Sequence, residues 1–168
     1  MSHLLSEPTF FELKSFEDLR GTFLKIVSPQ ISENLSFQWK EFFMTESEKG
    51  VIRGFHFQRG PKAFNKIVSC VSGKALDVLL DLRIDSSSYG QTKCFELDSG
   101  RPQALYIPAG FAHAFQSLES KTKMLYCTDQ IYDAKLESGF SYKSFPKLWP
   151  LDNVMVSEKD NNWPLFKN

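Results

Sequence analysis

The amino-acid sequence predicts an all-β protein, a sandwich or barrel of short strands with a few short helices. Apolar and polar residues alternate through most of the middle of the chain, which is the pattern of half-buried strands. Turn-forming residues recur every eight to fifteen positions, a spacing typical of short antiparallel strands. The 168 residues match the length of one ordinary domain, so we expect a single domain over 1–168 with one active site.

Two segments show the strand pattern most clearly. Residues 75–83 place leucine and valine on one parity, and residues 123–130 alternate in a similar way. Short turns of helix are expected only at Ser15–Arg20, Ser32–Trp39 and Tyr142–Leu148. Strand is therefore the main component of the predicted fold.

The C-terminal stretch 139–168 is less periodic than the strands before it. No linker, repeat or low-complexity segment separates it from them, so it belongs to the same predicted domain. Its two large apolar side chains, Trp149 and Trp163, are expected to fold this tail back onto the barrel.

Charge and composition exclude several classes of protein. Lysine plus arginine equals aspartate plus glutamate at 20 each, so no net positive field holds a nucleic acid or an anionic membrane. No apolar run approaches the length of a membrane span, and Glu7 and Pro8 stand where a signal peptide needs its apolar core. The odd number of cysteines (Cys70, Cys94 and Cys127), all in apolar stretches, predicts small buried residues in a reducing compartment. We therefore expect a cytoplasmic protein without nucleic acid or membrane partners.

Two of the three histidines lie in surroundings that favour function. His56 lies in a glycine- and aromatic-rich segment, and His113 ends a Pro-x-Gly-x-x-His turn. A single histidine in an aromatic strand is more often a satisfied core residue than a catalyst. The presence of Arg53, Lys66 and Asp160 in the same chain favours a functional site over that alternative.

The segment 51–58 decides which of these side chains meet. In a regular strand His56 and Gln58 share one face, while Arg53 and Phe55 share the other. A bulge at Gly54 would turn Arg53 toward the same cavity as His56.

The turn that ends at His113 is typical of a jelly-roll (cupin-type) barrel with a ligand at its mouth. Cupins that bind metal through this histidine also supply a His-x-His pair and a glutamate, whereas this chain has His56-Phe57-Gln58. Two imidazoles do not complete the usual histidine-rich site, so no metal ion is expected. The sequence also lacks an evident cofactor motif, and we expect none.

Histidine, lysine and tyrosine together suit proton abstraction next to a carbonyl group. That chemistry needs a base with a pKa near neutral, a cation that stabilises the enolate oxygen, and an acid that returns a proton. The three residue types fit these three roles without a metal or a cofactor.

Six landmarks in order over residues 18–160 are similar to those of the dTDP-4-dehydrorhamnose 3,5-epimerases, and the chain is identified as a member of that family. The Asp-x-Arg-Gly-x-Phe and Gly-Val-Ile-Arg-Gly-Phe-His-Phe-Gln motifs are the most specific of them. The landmarks lie at 18–23, 50–58 with Lys66, 77–83, 107–115, Tyr126 with Tyr132, and 157–160.

The resemblance implies the activity and its residues. His56 matches the general base, Asp160 the carboxylate that orients it, Tyr126 the general acid, and Lys66 the cation near the C4 oxygen of the sugar. Further substrate contacts are implied for Arg20, Arg53, His113, Gln58, Tyr132 and Phe23. In the family the residue that matches Arg20 reaches across from the partner subunit, so the resemblance implies a homodimer that binds a nucleotide-diphosphate sugar.

Simpler structural roles compete with these assignments. Tyr126 and Tyr132 also suit strand aromatics, Tyr132 suits a phosphate contact, and Asp160 suits a solvated surface charge. The family match favours the functional roles.

The chain departs from the family pattern at the end associated with the nucleotide. Lys25 stands where the family usually has glutamate, and residues 41–47 read Glu-Phe-Phe-Met-Thr-Glu-Ser instead of a pattern like Gln-Asp-Asn-His-Ser. Smaller departures occur at 64–66 and 143–145. Exchanged donors and acceptors would change which base is recognised.

The expected reaction is epimerisation at C3, C5 or both of a nucleotide-linked 4-keto-6-deoxyhexose, with dTDP as the expected carrier. One alternative is a relative that acts at a single centre, on another nucleotide or on a keto-heptose. A second is a sugar-nucleotide binding cupin without turnover, and a third is a metal-dependent cupin oxygenase or isomerase.

Overall fold

The computed structural model describes residues 5–26, 35 and 37–167 of the chain. Most of these residues lie in strands or in the short connections between them. The strands are β1 Thr9–Glu12, β2 Lys14–Asp18, β3 Gly21–Lys25, β4 Glu41–Ser47, β5 Ile52–Gln58, β6 Lys66–Ser72, β7 Lys74–Asp81, β8 Thr92–Asp98, β9 Gln103–Ile107, β10 Phe111–Ser117, β11 Thr122–Thr128 and β12 Glu137–Gly139. The helical elements are the 3-10 turns Gly60–Lys62, Tyr142–Ser144 and Pro146–Leu148 and the α-helix Glu158–Asn161.

The strands form two five-stranded antiparallel sheets that pack face to face. The first sheet has the order β1-β9-β6-β11-β4 and the second the order β12-β5-β10-β7-β8. The core between them buries side chains from both sheets, among them Val68 and Met124 from the first and Leu79 and Phe115 from the second. This architecture confirms the predicted all-β jelly roll of the cupin type.

The outer face of the second sheet is covered by the C-terminal tail. Val78 and Leu80, on the apolar parity of β7, pack there with Trp149 instead of facing the other sheet. The indole Nε1 of Trp149 donates a hydrogen bond to the Tyr142 carbonyl at 3.0 Å. The alternate residues of β7 therefore face the inside of the sandwich, where a polar side chain can take part in a site.

The helix predicted at Ser15–Arg20 is wrong, because this segment forms the hairpin of β2 and β3. Its turn is closed by the Asp18 carboxylate, which accepts a hydrogen bond from the Arg20 backbone N–H at 2.8 Å. Gly21 follows with a φ of +115°, which ends any helical path. One turn of helix has too few hydrogen bonds to compete with such a hairpin.

The other two predicted helical turns have different outcomes. Two consecutive 3-10 turns confirm the prediction at Tyr142–Leu148. Of the turn predicted at Ser32–Trp39, residues 32–34 and 36 lie outside the described residues, Leu35 is helical, and Phe37–Trp39 have no helical structure. Within the described part of the chain, no helix is long and apolar enough to cross a membrane.

The cysteines differ from the prediction at one position. Cys70 and Cys127 are buried as expected, but Cys94 on β8 is exposed. β8 is the edge strand of the second sheet, so among the described residues it has a neighbouring strand on one side only.

Candidate active site

A cavity of about 830 Å³ opens between the two sheets. It is lined from β4, β5, β6, β10, β11 and β12, from the loop at Tyr132 and from the C-terminal α-helix. Its ionisable lining residues are Lys40, Glu41, Arg53, His56, Lys66, His113, Tyr126, Tyr132, Glu137, Lys159 and Asp160.

A bulge in β5 aims two of the predicted residues into this cavity. His113 on β10 pairs with His56, but Phe115, two residues on, pairs with Arg53, so β5 holds one extra residue. Arg53 and His56 therefore both line the cavity, while Phe55 between them is buried in the outer core. The bulge expected at Gly54 is present.

The imidazole of His56 lies against a fixed carboxylate. Its Nε2 is 2.6 Å from Asp160 Oδ1, and Asp160 Oδ2 accepts a hydrogen bond from the Gly54 backbone N–H at 3.1 Å. Ser157 caps the short helix by accepting from the Asp160 N–H at 3.1 Å, which fixes the backbone under the carboxylate. Burial raises the pKa of Asp160, but the hydrogen bond and charge attraction of His56 outweigh it and hold the pKa below its usual value. Asp160 is therefore an ionised partner that can orient His56.

His113 forms a second imidazole–carboxylate pair deeper in the cavity. Its Nε2 lies 2.7 Å from Asp77 Oδ2, and both side chains are buried. Burial lowers the pKa of His113, although the nearby Asp77 acts in the opposite direction. His113 is therefore neutral near pH 7, with its proton on Nε2 toward Asp77. Its Nδ1 is then an acceptor.

Lys66 and Tyr126 bring a cation and a phenol to the same cavity. Burial lowers the pKa of Lys66 to about 8, with Asp77 opposing the shift, so the amine is still mostly charged at neutral pH. Burial raises the pKa of Tyr126 well above its usual value, which keeps its proton on the phenol. The Tyr126 ring stacks on Phe43 with centroids 4.7 Å apart.

Three other predicted contacts reach the cavity in different ways. The Arg53 guanidinium donates to Ser47 Oγ at 3.0 Å and keeps an exposed face. The Gln58 amide is bonded at both ends to backbone, by donating to the Lys62 carbonyl and accepting from the Asp133 N–H, so it supports two loops. Tyr132 is 48% exposed at the mouth of the cavity.

Arg20 and Phe23 do not line the cavity of this chain. They belong to the exposed hairpin of β2 and β3, where the Arg20 side chain is 91% exposed and forms an ion pair with Asp18 at 2.6 Å. Phe23 is 60% exposed and lies against Phe16. The structure thus groups eight of the ten predicted site residues and leaves these two outside.

Of the positions at which the chain departs from the family pattern, some line the cavity and others lie outside it. Glu41, Phe43 and Thr45 on β4 line the cavity, whereas Lys25 is exposed on the hairpin. Asn65 accepts hydrogen bonds from the Tyr106 hydroxyl and the Ala109 N–H and so has a structural role. Residues 143–145 lie in the first 3-10 turn of the tail and at its junction with the second, and they do not line the cavity.

Asp77, Glu137 and Lys159 are among the polar residues of the site that sequence reasoning missed. Asp77 lies in the 77–83 landmark but was given no role of its own, although it alternates with the apolar residues of β7 and so faces the inside of the sandwich. Lys159 directly precedes Asp160 and could have been found by extending the helix around that residue, whereas Glu137 is brought beside Gln58 only by the pairing of β12 with β5. Within the described ranges, no three His, Cys, Asp or Glu side chains form a group suited to a metal ion.

Comparison with known proteins assigns nearly the whole chain to one family. The family model described as dTDP-4-dehydrorhamnose 3,5-epimerase matches residues 3–168. The enzyme of that name from Shigella flexneri is 36% identical over 161 residues, which cover 93% of this chain and 89% of the relative.

Solved structures give the same result. The dTDP-4-dehydrorhamnose 3,5-epimerase of Bacillus anthracis, solved with TDP and pyrophosphate bound, superimposes with a TM-score of 0.89 at 32% identity, covering 96% of this chain and 95% of that one. A Legionella pneumophila dTDP-6-deoxy-D-glucose-3,5-epimerase in complex with dTDP-4-keto-L-rhamnose has a TM-score of 0.88 at 29% identity, covering 98% and 90%. The chain therefore belongs to the dTDP-4-dehydrorhamnose 3,5-epimerases, a family of sugar-nucleotide isomerases.

Proposed function

We propose that this protein epimerises C3, C5 or both of a dTDP-linked 4-keto-6-deoxyhexose. The observation that carries the proposal is the 2.6 Å contact of His56 with a buried, ionised Asp160, in a cavity that also holds Lys66 and Tyr126. Relatives solved with TDP or with dTDP-4-keto-L-rhamnose support the choice of carrier and sugar.

The reaction follows from the placement of these four groups. With Nε2–H directed at Asp160, the Nδ1 of His56 is the basic atom and takes the proton from the carbon next to the C4 carbonyl. The electron pair of the broken C–H bond forms an enolate, whose oxygen is stabilised by the Lys66 ammonium. The Tyr126 phenol gives a proton to the opposite face of the carbon, and the product is an isomer with the same atoms. Asp160 stabilises the resulting imidazolium, which persists until His56 releases its proton to solvent and the Tyr126 phenolate takes one up, and this exchange resets both groups for the next turnover.

His113 is better suited to a sugar hydroxyl than to the enolate oxygen. Its Nε2–H is directed at Asp77, so the Nδ1 that remains is an acceptor. An acceptor attracts a hydroxyl proton and repels a developing oxyanion. The oxyanion role is thus left to Lys66.

Solvent deuterium uptake tests the proposed function. In D₂O, the protein should exchange the protons at C3, C5 or both of dTDP-4-keto-6-deoxyglucose, and NMR assigns each centre separately. Uptake at one centre alone identifies a single-centre epimerase, and binding without exchange identifies a non-catalytic protein.

The same assay with GDP-, CDP- and UDP-linked ketosugars tests the nucleotide carrier, because Glu41 and Phe43 line the cavity where the family pattern differs. Loss of exchange after chelation would contradict our proposal that no metal ion or other cofactor takes part.

We also propose that the protein is a homodimer in which the hairpin of β2 and β3 completes the partner's cavity. Phe16, Leu19 and Phe23 expose apolar surface on this hairpin, which is typical of a protein–protein interface. Arg20 projects from the same hairpin and lies outside the cavity of its own chain. An arginine there suits the diphosphate of a substrate bound to the partner.

We further propose a reducing, cytoplasmic location, which the buried, unpaired Cys70 and Cys127 support and which cell fractionation tests.

Complementation tests the shared site. Arg20→Ala and His56→Ala should each lower activity, and a mixture allowed to exchange subunits should recover about a quarter of wild-type activity. The reason is that about half of the dimers are mixed, and each mixed dimer has one intact site if Arg20 acts across the interface. Mixed dimers that form without recovering activity would contradict the shared site, and a monomer in light scattering would contradict the dimer.

A further inference from the structure

Glu137 holds two other cavity residues together at the edge of the site. Its Oε2 accepts a hydrogen bond from the Tyr132 hydroxyl at 2.5 Å and forms an ion pair with the Lys159 ammonium. The Glu137 side chain is only 13% exposed, whereas that of Lys159 is 54% exposed. A mostly buried carboxylate with two such partners is a built feature of the cavity and not a loose surface charge.

This pair lies beside His56. Glu137 pairs in register with Gln58 on β5, and Gly139, two residues on, pairs with His56 itself. Lys159 directly precedes Asp160, the partner of His56, in the C-terminal helix. Burial raises the pKa of Glu137, but the bonds from Lys159 and Tyr132 and the attraction of His56 bring it below its usual value. Glu137 is therefore ionised near the imidazole.

We propose that Glu137 and Lys159 are positioning residues that form a balanced charge pair beside His56, in which each charge offsets the effect of the other on the pH range where His56 is a base. This inference rests on the proposed function, because it assigns His56 the role of base. Neither residue is given a step in the chemistry.

The balance follows from the charges around the imidazole. The charged or titratable groups that line the cavity with it are Asp160 and Lys159 of the helix, Glu137 of β12, His113 of β10, Lys66 of β6, Tyr126 of β11, Arg53 of β5, Glu41 of β4, Lys40 before β4, and Tyr132 of the loop before β12. As an ion pair, Glu137 and Lys159 have no net charge, so their effects on the His56 imidazolium oppose each other. Removal of either one leaves the opposite charge uncompensated in a partly buried site, where screening by solvent is incomplete.

The two single variants should shift the pH profile in opposite directions. In Glu137→Gln the remaining Lys159 disfavours the imidazolium, so the acidic limb of kcat/KM moves to lower pH. In Lys159→Met the remaining Glu137 favours the imidazolium, so the limb moves to higher pH. We expect each shift to be about 0.5 pH unit or more, and the double variant should return close to wild type. The basic limb, which we assign to Lys66, should stay near pH 8 in all of them.

Controls separate this inference from folding and from the proposed function. Glu158→Gln also removes one negative charge, but from an exposed position on the helix that carries Lys159, and it should leave the acidic limb in place. Titration of the His56 ring by NMR reads the same shifts without substrate, and thermal melts show that each variant is folded. Single variants that coincide with wild type, or that shift in the same direction, would overturn the inference. A wild-type protein without turnover would instead refute the proposed function, while the NMR titration still tests the charge pair.

Discussion

Replacement of His56 by asparagine should lower kcat by about 10³-fold or more and remove deuterium uptake next to the substrate carbonyl. Asparagine keeps a polar side chain of similar size but has no basic nitrogen, so the C–H bond next to the carbonyl has no proton acceptor. Asp160 does not replace it, because it contacts the imidazole from the Nε2 side, behind the Nδ1 that takes the proton, and one of its oxygens stays bonded to the Gly54 N–H. Substrate binding should change far less than turnover, since the diphosphate and sugar contacts are intact.

His113→Asn is the matched control for this variant. It removes the other cavity histidine, which is also paired with a carboxylate but is buried and neutral. If His113 contacts only a sugar hydroxyl, this change should raise KM and lower kcat by less than about 100-fold. NMR exchange rates and steady-state kinetics measure both variants. Exchange in His56→Asn within tenfold of wild type would refute the role of His56.

The sequence predicted the fold because strand periodicity survives in most elements. The alternation in 75–83 and 123–130 corresponds to β7 and β11. Periodicity did not reveal which face of β7 meets the core, because its apolar parity packs under the tail and its other parity carries Asp77 toward the site. Ser15–Arg20 was mistaken for a helix because β2 is exposed on both faces and so shows no alternation of buried and exposed residues.

The site was predictable where residues belong to motifs and not where they depend on tertiary pairing. His56 and Arg53 reach one cavity through a bulge that Gly54 signals in the sequence. Glu137 has no such signal, because its partners Tyr132 and Lys159 are brought to it only by the folding of β12 and the C-terminal helix. An alternating pattern also cannot show that Gln58 uses both ends of its amide on backbone groups.

Replacement of Gly54 by alanine should lower the free energy of unfolding by about 3 kcal/mol or more, since it combines backbone strain with overpacking. Gly54 has a φ of +115°, and an added Cβ would lie 2.6 Å from Ala114 Cα and 2.7 Å from its Cβ, besides meeting the His113 carbonyl oxygen. These are backbone or rigid atoms, so β5 and β10 must separate to admit the methyl group. The separation falls between Arg53 and His56, so the folded fraction should also lose most of its activity.

Gly21→Ala isolates the conformational part of this effect, so the difference between the two variants gives the steric part. Gly21 has the same φ of +115°, but an added Cβ there meets nothing within 4 Å, so the variant bears only the conformational cost of about 1–2 kcal/mol. Chemical denaturation of the two variants and the wild type measures both losses. A loss in Gly54→Ala no larger than that in Gly21→Ala would mean that β5 and β10 adjust without cost. In that case the close approach of the two strands would not be what holds the bulge, and with it Arg53 and His56, in register.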